Sequence, residues 1–138
     1  MKLATIVPTQ YLSVVAAMGM TYHMALAQKL EQDDQYLAFF HAMHALDHHI
    51  IVDNGAAEGE FLDYEVTVRL ATAIGADEIA LPDVLRDADA TLDLQRQWRS
   101  IIEGIPACKR MAIPQGDNVF EWCQCLDDMA RNLDFATV

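Results

Sequence analysis

Residues 49–56 read His-Ile-Ile-Val-Asp-Asn-Gly-Ala, a short apolar run that passes at once into polar residues. A run that is continuously apolar is typical of a strand buried on both faces of a parallel sheet, because a half-exposed antiparallel strand alternates apolar and polar residues. We therefore predict a strand over residues 49–52. Its carboxyl end then presents the polar side chains of Asp53 and Asn54.

Similar short runs recur along the chain, and longer amphipathic stretches separate them. The predicted strands are Leu3–Val7, His49–Val52, Glu78–Leu81, Arg110–Ile113 and Asp134–Val138. The predicted helices are Thr21–Leu46 with a break near Asp33 and Asp34, Phe61–Ile74, Asp89–Glu103 and Asn118–Asn132. Strands that alternate with helices predict an α/β fold of parallel βα repeats, here with about five strands.

Length and composition limit the class of protein. The chain has 138 residues, 53% of them hydrophobic and 22% charged, so we expect one folded α/β domain over residues 1–138. No apolar run reaches the ~20 residues that a membrane span needs, and we expect no membrane as a partner. Three cysteines without regular spacing favour a reducing compartment, so the cytoplasm is the expected location.

The net charge and the missing motifs exclude further functions. Nine Lys and Arg against 21 Asp and Glu give a charge of −12, and such a surface repels the phosphate backbone of tRNA or DNA. The sequence has neither a Gly-rich phosphate loop nor a Gly-x-Ser-x-Gly elbow. We therefore predict no cofactor, and we do not expect hydride transfer or P-loop chemistry.

Polar residues directly follow the predicted strands. Pro8, Pro82 and Pro114 each end an apolar run, since proline cannot donate to a strand ladder. The polar residues that we expect at the carboxyl ends are Thr9, Gln10, Asp53, Asn54, Asp83 and Gln115. Ligands of parallel α/β folds bind at that edge, in barrels and open sheets alike, so this is the predicted binding site.

These side chains suit a planar heterocycle better than a phosphate or a metal ion. A carboxylate such as Asp53 or Asp83 matches the ring N–H and exocyclic amine of a guanine-like base. Gln115 offers a donor and an acceptor, and the N–H of Gly116 is open because glycine has no side chain. We expect Asp83 to make few contacts within the protein. The alternative is that an Asp at a strand end, such as Asp53, only caps the next helix.

Three short segments carry a family resemblance: Ile51–Ala56, Ala76–Asp83 and Met111–Gly116. In this order they are similar to the first half of the tRNA-guanine transglycosylase family, and most of all to its divergent, phage-like branch associated with 7-deazaguanine metabolism. The resemblance implies the first half of a TIM (β/α)8 barrel. It also implies that Asp53 is a catalytic general base beside the ribose and that Asp83 recognises the base.

The same resemblance implies base recognition by Gln115 and Gly116. Asn54 stands where the family has Ser, and Ala56, Ala57 and Glu58 replace the family's Gly-Phe-Gln, so the pocket wall beside Asp53 is expected to hold a different base. Asn54 and Gly55 are expected to bind that base. The family's nucleophile is an Asp on a later strand of the barrel. No residue of this chain matches it, so the chain is expected to be a truncated or partial barrel.

The leading hypothesis is a transglycosylase-like protein that binds a guanine or 7-deazaguanine base for exchange in tRNA or DNA. One alternative is a non-catalytic base-binding protein or truncated barrel fragment, and another is a small flavodoxin-like open sheet with an unrelated ligand. Unpaired edge strands of a partial barrel predict a homo-oligomer. Because the chain is acidic, tRNA or DNA is expected to bind only through a longer form or a partner.

The cysteines do not predict a metal site. Cys123 and Cys125 resemble the start of the family's zinc motif, but Asp128 stands where the third Cys would be. Residues two apart on a helix do not face each other, so packed or partly exposed thiols are the better interpretation.

The histidines are expected to be structural or surface residues. His41 and His44 lie three apart on one predicted helix face, but no second helix offers a Glu-x-x-His partner, so we predict no metal here. His48 precedes the second predicted strand and His49 begins it, at the amino end of the predicted barrel, where surface roles dominate.

Overall fold

The computed structural model describes residues 3–59, 62–104, 108–132 and 136–138. Within these ranges the chain forms an α/β fold with four parallel strands and seven α-helices. The strands are β1 Tyr22–Leu26, β2 His49–Asp53, β3 Glu78–Ala80 and β4 Lys109–Met111. The α-helices are α1 Leu12–Ala17, α2 Ala27–Gln32, α3 Asp34–Ala45, α4 Tyr64–Ile74, α5 Ala88–Gln97, α6 Arg99–Glu103 and α7 Val119–Asn132.

The four strands lie in the sheet in the order of the chain. β1 pairs with β2, β2 with β3 and β3 with β4, and all three pairs are parallel. The register places Tyr22 opposite His49, Ile51 opposite Glu78, and Glu78 opposite Lys109. The carboxyl ends of all four strands therefore meet at one edge of the sheet, as the sequence predicts.

β1 is a strand where the sequence predicts a helix, and this part of the prediction is wrong. Its residues Tyr-His-Met-Ala-Leu include good helix formers and run directly into α2, so local propensity favours a helix. Parallel pairing with β2 over five residues buries Ala25 and Leu26, and this tertiary contact overrides propensity. The predicted break near Asp33 is confirmed, because α2 gives way to α3 there.

The terminal segments lie beside the two edge strands. The predicted strand Leu3–Val7 is reduced to one parallel bridge, between Ile6 and Met24 of β1. The predicted strand Asp134–Val138 falls partly outside the described residues. Within them, Thr137 makes a parallel bridge to Met111 of β4. The amino-terminal segment thus lies next to β1 and the carboxyl-terminal segment next to β4, so both keep the order of the chain across the sheet.

The other elements lie close to their predicted positions. β2 and β3 match within one residue, and β4 lies one to two residues earlier than predicted. α4 begins at Tyr64, where the Asp63 side chain accepts from the first turn, while the predicted start at Phe61 lies outside the described residues. The predicted helix 89–103 is two helices, α5 and α6, that meet at Trp98.

The hydrophobic core lies between one face of the sheet and the helices. It includes Tyr36 and Phe40 of α3, Ile74 of α4, and the strand residues Ile50 and Ile79. Successive strand residues point to opposite faces, so His49 and Glu78 lie on the face away from this core. No helix in the described ranges has the length and apolar character needed to cross a membrane.

Candidate functional site

A chain of hydrogen bonds runs along the carboxyl edge of the sheet. The side-chain amide of Gln28, just after β1, donates to the carbonyl oxygen of Asn54 at 3.2 Å. Asn54 donates to Asp83, and Gln115 donates to Asp83 from the other side. Polar groups that follow four different strands are therefore joined in one network, with Asp83 at its centre.

Asp83 is buried, and each of its carboxylate oxygens accepts one hydrogen bond from a side-chain amide. Oδ1 accepts from Nδ2 of Asn54 at 2.7 Å, and Oδ2 accepts from Nε2 of Gln115 at 2.6 Å. Asp83 is only 4% exposed and accepts two side-chain hydrogen bonds, so the expectation that it makes few internal contacts is wrong. Burial raises the pKa of Asp83, and the two amide donors offset part of that shift.

Asn54 ties the end of β2 to the segment after β3. Its Nδ2 group donates both to the carbonyl oxygen of Leu81 at 2.8 Å and to Asp83, and its Oδ1 accepts from the amide of Ala56 at 2.8 Å. Both amide hydrogens are therefore used within the protein. This geometry gives Asn54 a role in orienting Asp83.

Gly55 is required by the backbone and by close packing. Its φ of 78° lies in the left-handed region, and a Cβ at this position would collide with the side chain of Gln28. Gln28 is 4% exposed. The sequence prediction missed Gln28 because it placed the residues of β1 inside a helix. A predicted strand that ended at Leu26 would have placed Gln28 among the polar residues that follow strand ends.

Gln115 and Gly116 follow β4 and hold the outer end of the network. Gln115 uses its Oε1 to accept from the backbone amide of Arg86 at 2.9 Å. A Cβ on Gly116 would approach the backbone of α7 near Trp122, so the missing side chain also serves packing. The Arg86 guanidinium pairs with Asp117 at 2.9 Å on the surface.

Asp53, the predicted catalytic base, is the half-buried last residue of β2 and lies opposite Leu26 of β1. Its charge acts on the buried hydroxyl of Tyr36, which accepts from the amide of Leu26 at 3.3 Å. Burial is the main cause that raises the pKa of Tyr36 to about 12, and the charges of Asp33 and Asp53 add to it. Asp53 thus borders a tyrosine that stays protonated at neutral pH.

Thr9 and Gln10 follow a segment that makes only one parallel bridge, at Ile6, where the sequence predicts a full strand. They lie in a short 3-10 helix, Thr9–Tyr11, that precedes α1. The Thr9 hydroxyl donates to Asp33 at 2.6 Å, and Asp33 caps α3 by accepting from the amides of its first turn. Gln28 takes the position at the end of the first strand that the sequence prediction gave to these residues.

A cavity of about 280 Å³ opens beside Asp83, between α4 and α5. Asn54 and Asp83 form a polar part of its wall, and Tyr64 and Trp98 are the aromatic residues that line it. The Tyr64 hydroxyl donates to the carbonyl oxygen of Ala80 at 3.1 Å, so its ring is fixed. This volume is close to the lower end of small-molecule sites, about 300 Å³, and the wall combines an apolar surface with a few polar groups.

A larger cavity of about 520 Å³ lies between α5 and α7 and is acidic. The carboxylates that line it are Asp87, Asp89, Asp117, Glu121 and Asp128. Within the described part of the chain, no group of three or more His, Cys, Asp or Glu residues is arranged to hold a metal ion.

His49 is not a surface residue, which corrects the sequence prediction. Its ring stacks on Tyr22 with centroids 4.3 Å apart, and its Nε2 lies 2.7 Å from Oε1 of Glu78. Glu78 is buried, and its other carboxylate oxygen accepts from the hydroxyl of Thr137. His48 lies 2.9 Å from the buried His23, ring nitrogen to ring nitrogen. His48 and His49 are both half-buried, because side chains from distant segments of the chain pack against them.

Comparison with known proteins adds no family assignment: no protein-family model matches the chain, and no curated protein matches it either.

Proposed function

We propose that the carboxyl edge of this sheet binds a guanine or 7-deazaguanine base, and that the chain is a transglycosylase-like protein for base exchange in tRNA or DNA. The observation that carries the proposal is Asp83, held between the amides of Asn54 and Gln115. A buried carboxylate with its orientation fixed from both sides is a preorganised double acceptor.

The hydrogen-bond network leaves Asp83 able to accept from a ligand. Each carboxylate oxygen has two lone pairs, and Asn54 and Gln115 take one on each oxygen. The remaining pair of acceptor positions suits the ring N–H and the exocyclic amine of guanine. The adjoining cavity, lined by Tyr64 and Trp98, offers an apolar wall to a planar ring.

The remaining roles follow the family resemblance. Gln115 and Gly116 would contact the far side of the base, and Gly55 lets the chain turn close to it. Asp53 is the proposed general base, and its charge helps to keep the nearby buried hydroxyl of Tyr36 protonated. Asn54 acts by holding Asp83, since its own amide hydrogens are already donated.

The order of the strands supports the first half of a TIM (β/α)8 barrel. A barrel winds in one direction, so its strands lie in chain order, as β1 to β4 do. A flavodoxin-like sheet has the order 2-1-3-4-5, so the strand order disfavours that alternative. The bridges of Ile6 and Thr137 extend the same order at both edges.

The contact between Glu78 and Thr137 supports a curved sheet. Glu78 is on β3, and Thr137 lies beyond β4, two strand positions away. Side chains that stand upright on a flat sheet would be about 10 Å apart over that distance. They meet here by a hydrogen bond, as side chains of alternate strands do inside a barrel.

The charge favours a partner for any polynucleotide substrate. The net charge is −12, and the Arg side chains in surface ion pairs with carboxylates are Arg69, Arg86, Arg96, Arg99 and Arg131. We therefore propose that tRNA or DNA is engaged only by a longer form or a complex that supplies basic residues. The chain alone then acts as a base-binding protein, which is the second candidate function. The cytoplasm is the proposed location.

Calorimetric titration of the 138-residue chain tests the proposal. We expect guanine and 7-deazaguanine to bind and adenine to fail, because adenine offers an acceptor where guanine offers the ring N–H. Asp83→Asn removes one of two charge-assisted hydrogen bonds and reorients the second, so affinity should fall roughly 100-fold. Asp93→Asn is the matched control, since Asp93 is an exposed carboxylate on α5. Equal affinity for adenine, or an Asp83→Asn variant that binds like the wild type, contradicts the proposal.

A further inference from the structure

The turn that carries Asp83, residues 82–84, is held from beneath by two side chains of α5. These are Thr91 and Gln95, which lie four residues apart and therefore on one face of the helix. Thr91 is 0% exposed and Gln95 is 2% exposed. They are the fully buried residues of α5, and both are polar.

Each of the two side chains binds the backbone of this turn. The Thr91 hydroxyl accepts from the amide of Val84 at 2.9 Å and donates to its carbonyl oxygen at 3.1 Å. The Gln95 amide donates to the carbonyl oxygen of Pro82 at 3.1 Å. The backbone on both sides of Asp83 is thus fixed by α5, while its carboxylate is fixed by Asn54 and Gln115.

Packing alone does not explain this choice of residues. A helix that packs on a sheet normally buries apolar residues, which gain free energy without any need for hydrogen-bond partners. Gln95 also carries a cost, because its Oε1 is buried and has no hydrogen-bond partner among the described residues. Local rules of this kind are broken at functional sites, where geometry matters more than stability.

We propose that Thr91 and Gln95 are positioning residues that hold the Asp83 turn in the geometry that reads a guanine-type base. The inference rests on the proposed function and deepens it. Thr91 and Gln95 do not touch the base; they act through the backbone of Pro82 and Val84. Base recognition at this site therefore depends on a buried face of α5 as well as on the strand ends.

Variants of the full chain separate positioning from stability. Thr91→Val replaces the hydroxyl by a methyl group of similar size, Thr91→Ser keeps the hydroxyl, and Gln95→Leu removes the donor to Pro82. We expect Thr91→Val and Gln95→Leu each to lower the affinity for 7-deazaguanine by about tenfold, because a turn that α5 no longer holds must be ordered when the base binds. The Thr91→Ser variant keeps the hydroxyl and should bind 7-deazaguanine with wild-type affinity. Amide hydrogen exchange at Val84 should accelerate in Thr91→Val only.

The outcomes distinguish this inference from the proposed function. If the wild type binds 7-deazaguanine and Thr91→Val and Gln95→Leu bind it equally well, the inference is wrong and the proposed function stands. Lower melting temperatures with unchanged affinity of the folded variants mean a purely structural role, and also overturn it. If the wild type binds no guanine-type base, the proposed function fails and the inference fails with it, whatever happens at Val84.

Discussion

Side chains from three different parts of the chain hold Asp83 in place by hydrogen bonds. Asn54 and Gln115 hold its carboxylate, and α5 holds the backbone around it through Thr91 and Gln95. The sequence predicts Asp83 and Gln115 at the sheet edge from two short motifs that end strands. It does not predict that the two side chains are hydrogen-bonded to each other, because that contact depends on the spacing of β3 and β4.

The ionisation of Asp83 predicts how stability changes with pH. Burial raises its pKa above the ordinary value of 3.8, although its donors Asn54 and Gln115 partly offset this. A carboxyl whose pKa is higher in the folded chain stabilises the fold below pH 3.8, and that contribution is lost as pH rises through the folded-state pKa. The Asp83→Asn variant does not ionise at this position. Its stability relative to the wild type should therefore rise with pH over that window and then level off.

Urea unfolding of the wild type and Asp83→Asn between pH 3 and pH 7 measures this difference. Asp93→Asn serves as the control for an exposed carboxylate. A difference for Asp83→Asn that falls as pH rises would mean that the pKa of Asp83 is lowered in the folded chain.

At the scale of elements, the sequence predicts β2, β3, β4 and most helices, because each has a strong local signal. β2 contains the apolar run Ile50–Val52, and Gly75 directly follows α4. β1 fails the prediction because Tyr22–Leu26 is rich in helix formers and becomes a strand only by pairing with β2. The same error hides Gln28. Burial that comes from another segment has no signature in the local sequence.

The glycine that follows α4, Gly75, is predicted to be required by its backbone conformation. It caps α4 with φ 68° in the left-handed region, and a Cβ there would collide with the ring of His44 from α3. Gly75→Ala should lower the free energy of unfolding by about 1 to 2 kcal/mol. Gly104, which caps α6 with φ −82°, provides the matched control, and Gly104→Ala should change it far less. Thermal or urea unfolding checks both, and equal effects contradict the account.

At the scale of the whole molecule, two features oppose each other. Among the described residues, the outer edges of β1 and β4 carry one isolated bridge each. Edge strands of a sheet are sites where another chain can pair. The net charge of −12 makes two copies repel each other. Sheet edges favour association and charge limits it, so the balance depends on salt.

Light scattering across a range of salt concentrations tests this balance. We predict a homo-oligomer whose fraction grows as salt rises from about 0.05 M to 0.5 M, because screening weakens the repulsion between acidic surfaces. A species with the mass of one chain at every salt concentration would contradict the predicted association.

The central claim is that a guanine-type base binds at the network around Asp83. Nuclear magnetic resonance of the ¹⁵N-labelled chain during titration with 7-deazaguanine tests it most directly, because the side-chain amides of Asn54 and Gln115 report on the Asp83 carboxylate itself. We predict saturable shifts of these two amides and of the Val84 backbone amide, and no such shifts with adenine. Absence of shifts, or shifts confined to the acidic cavity between α5 and α7, would contradict the account.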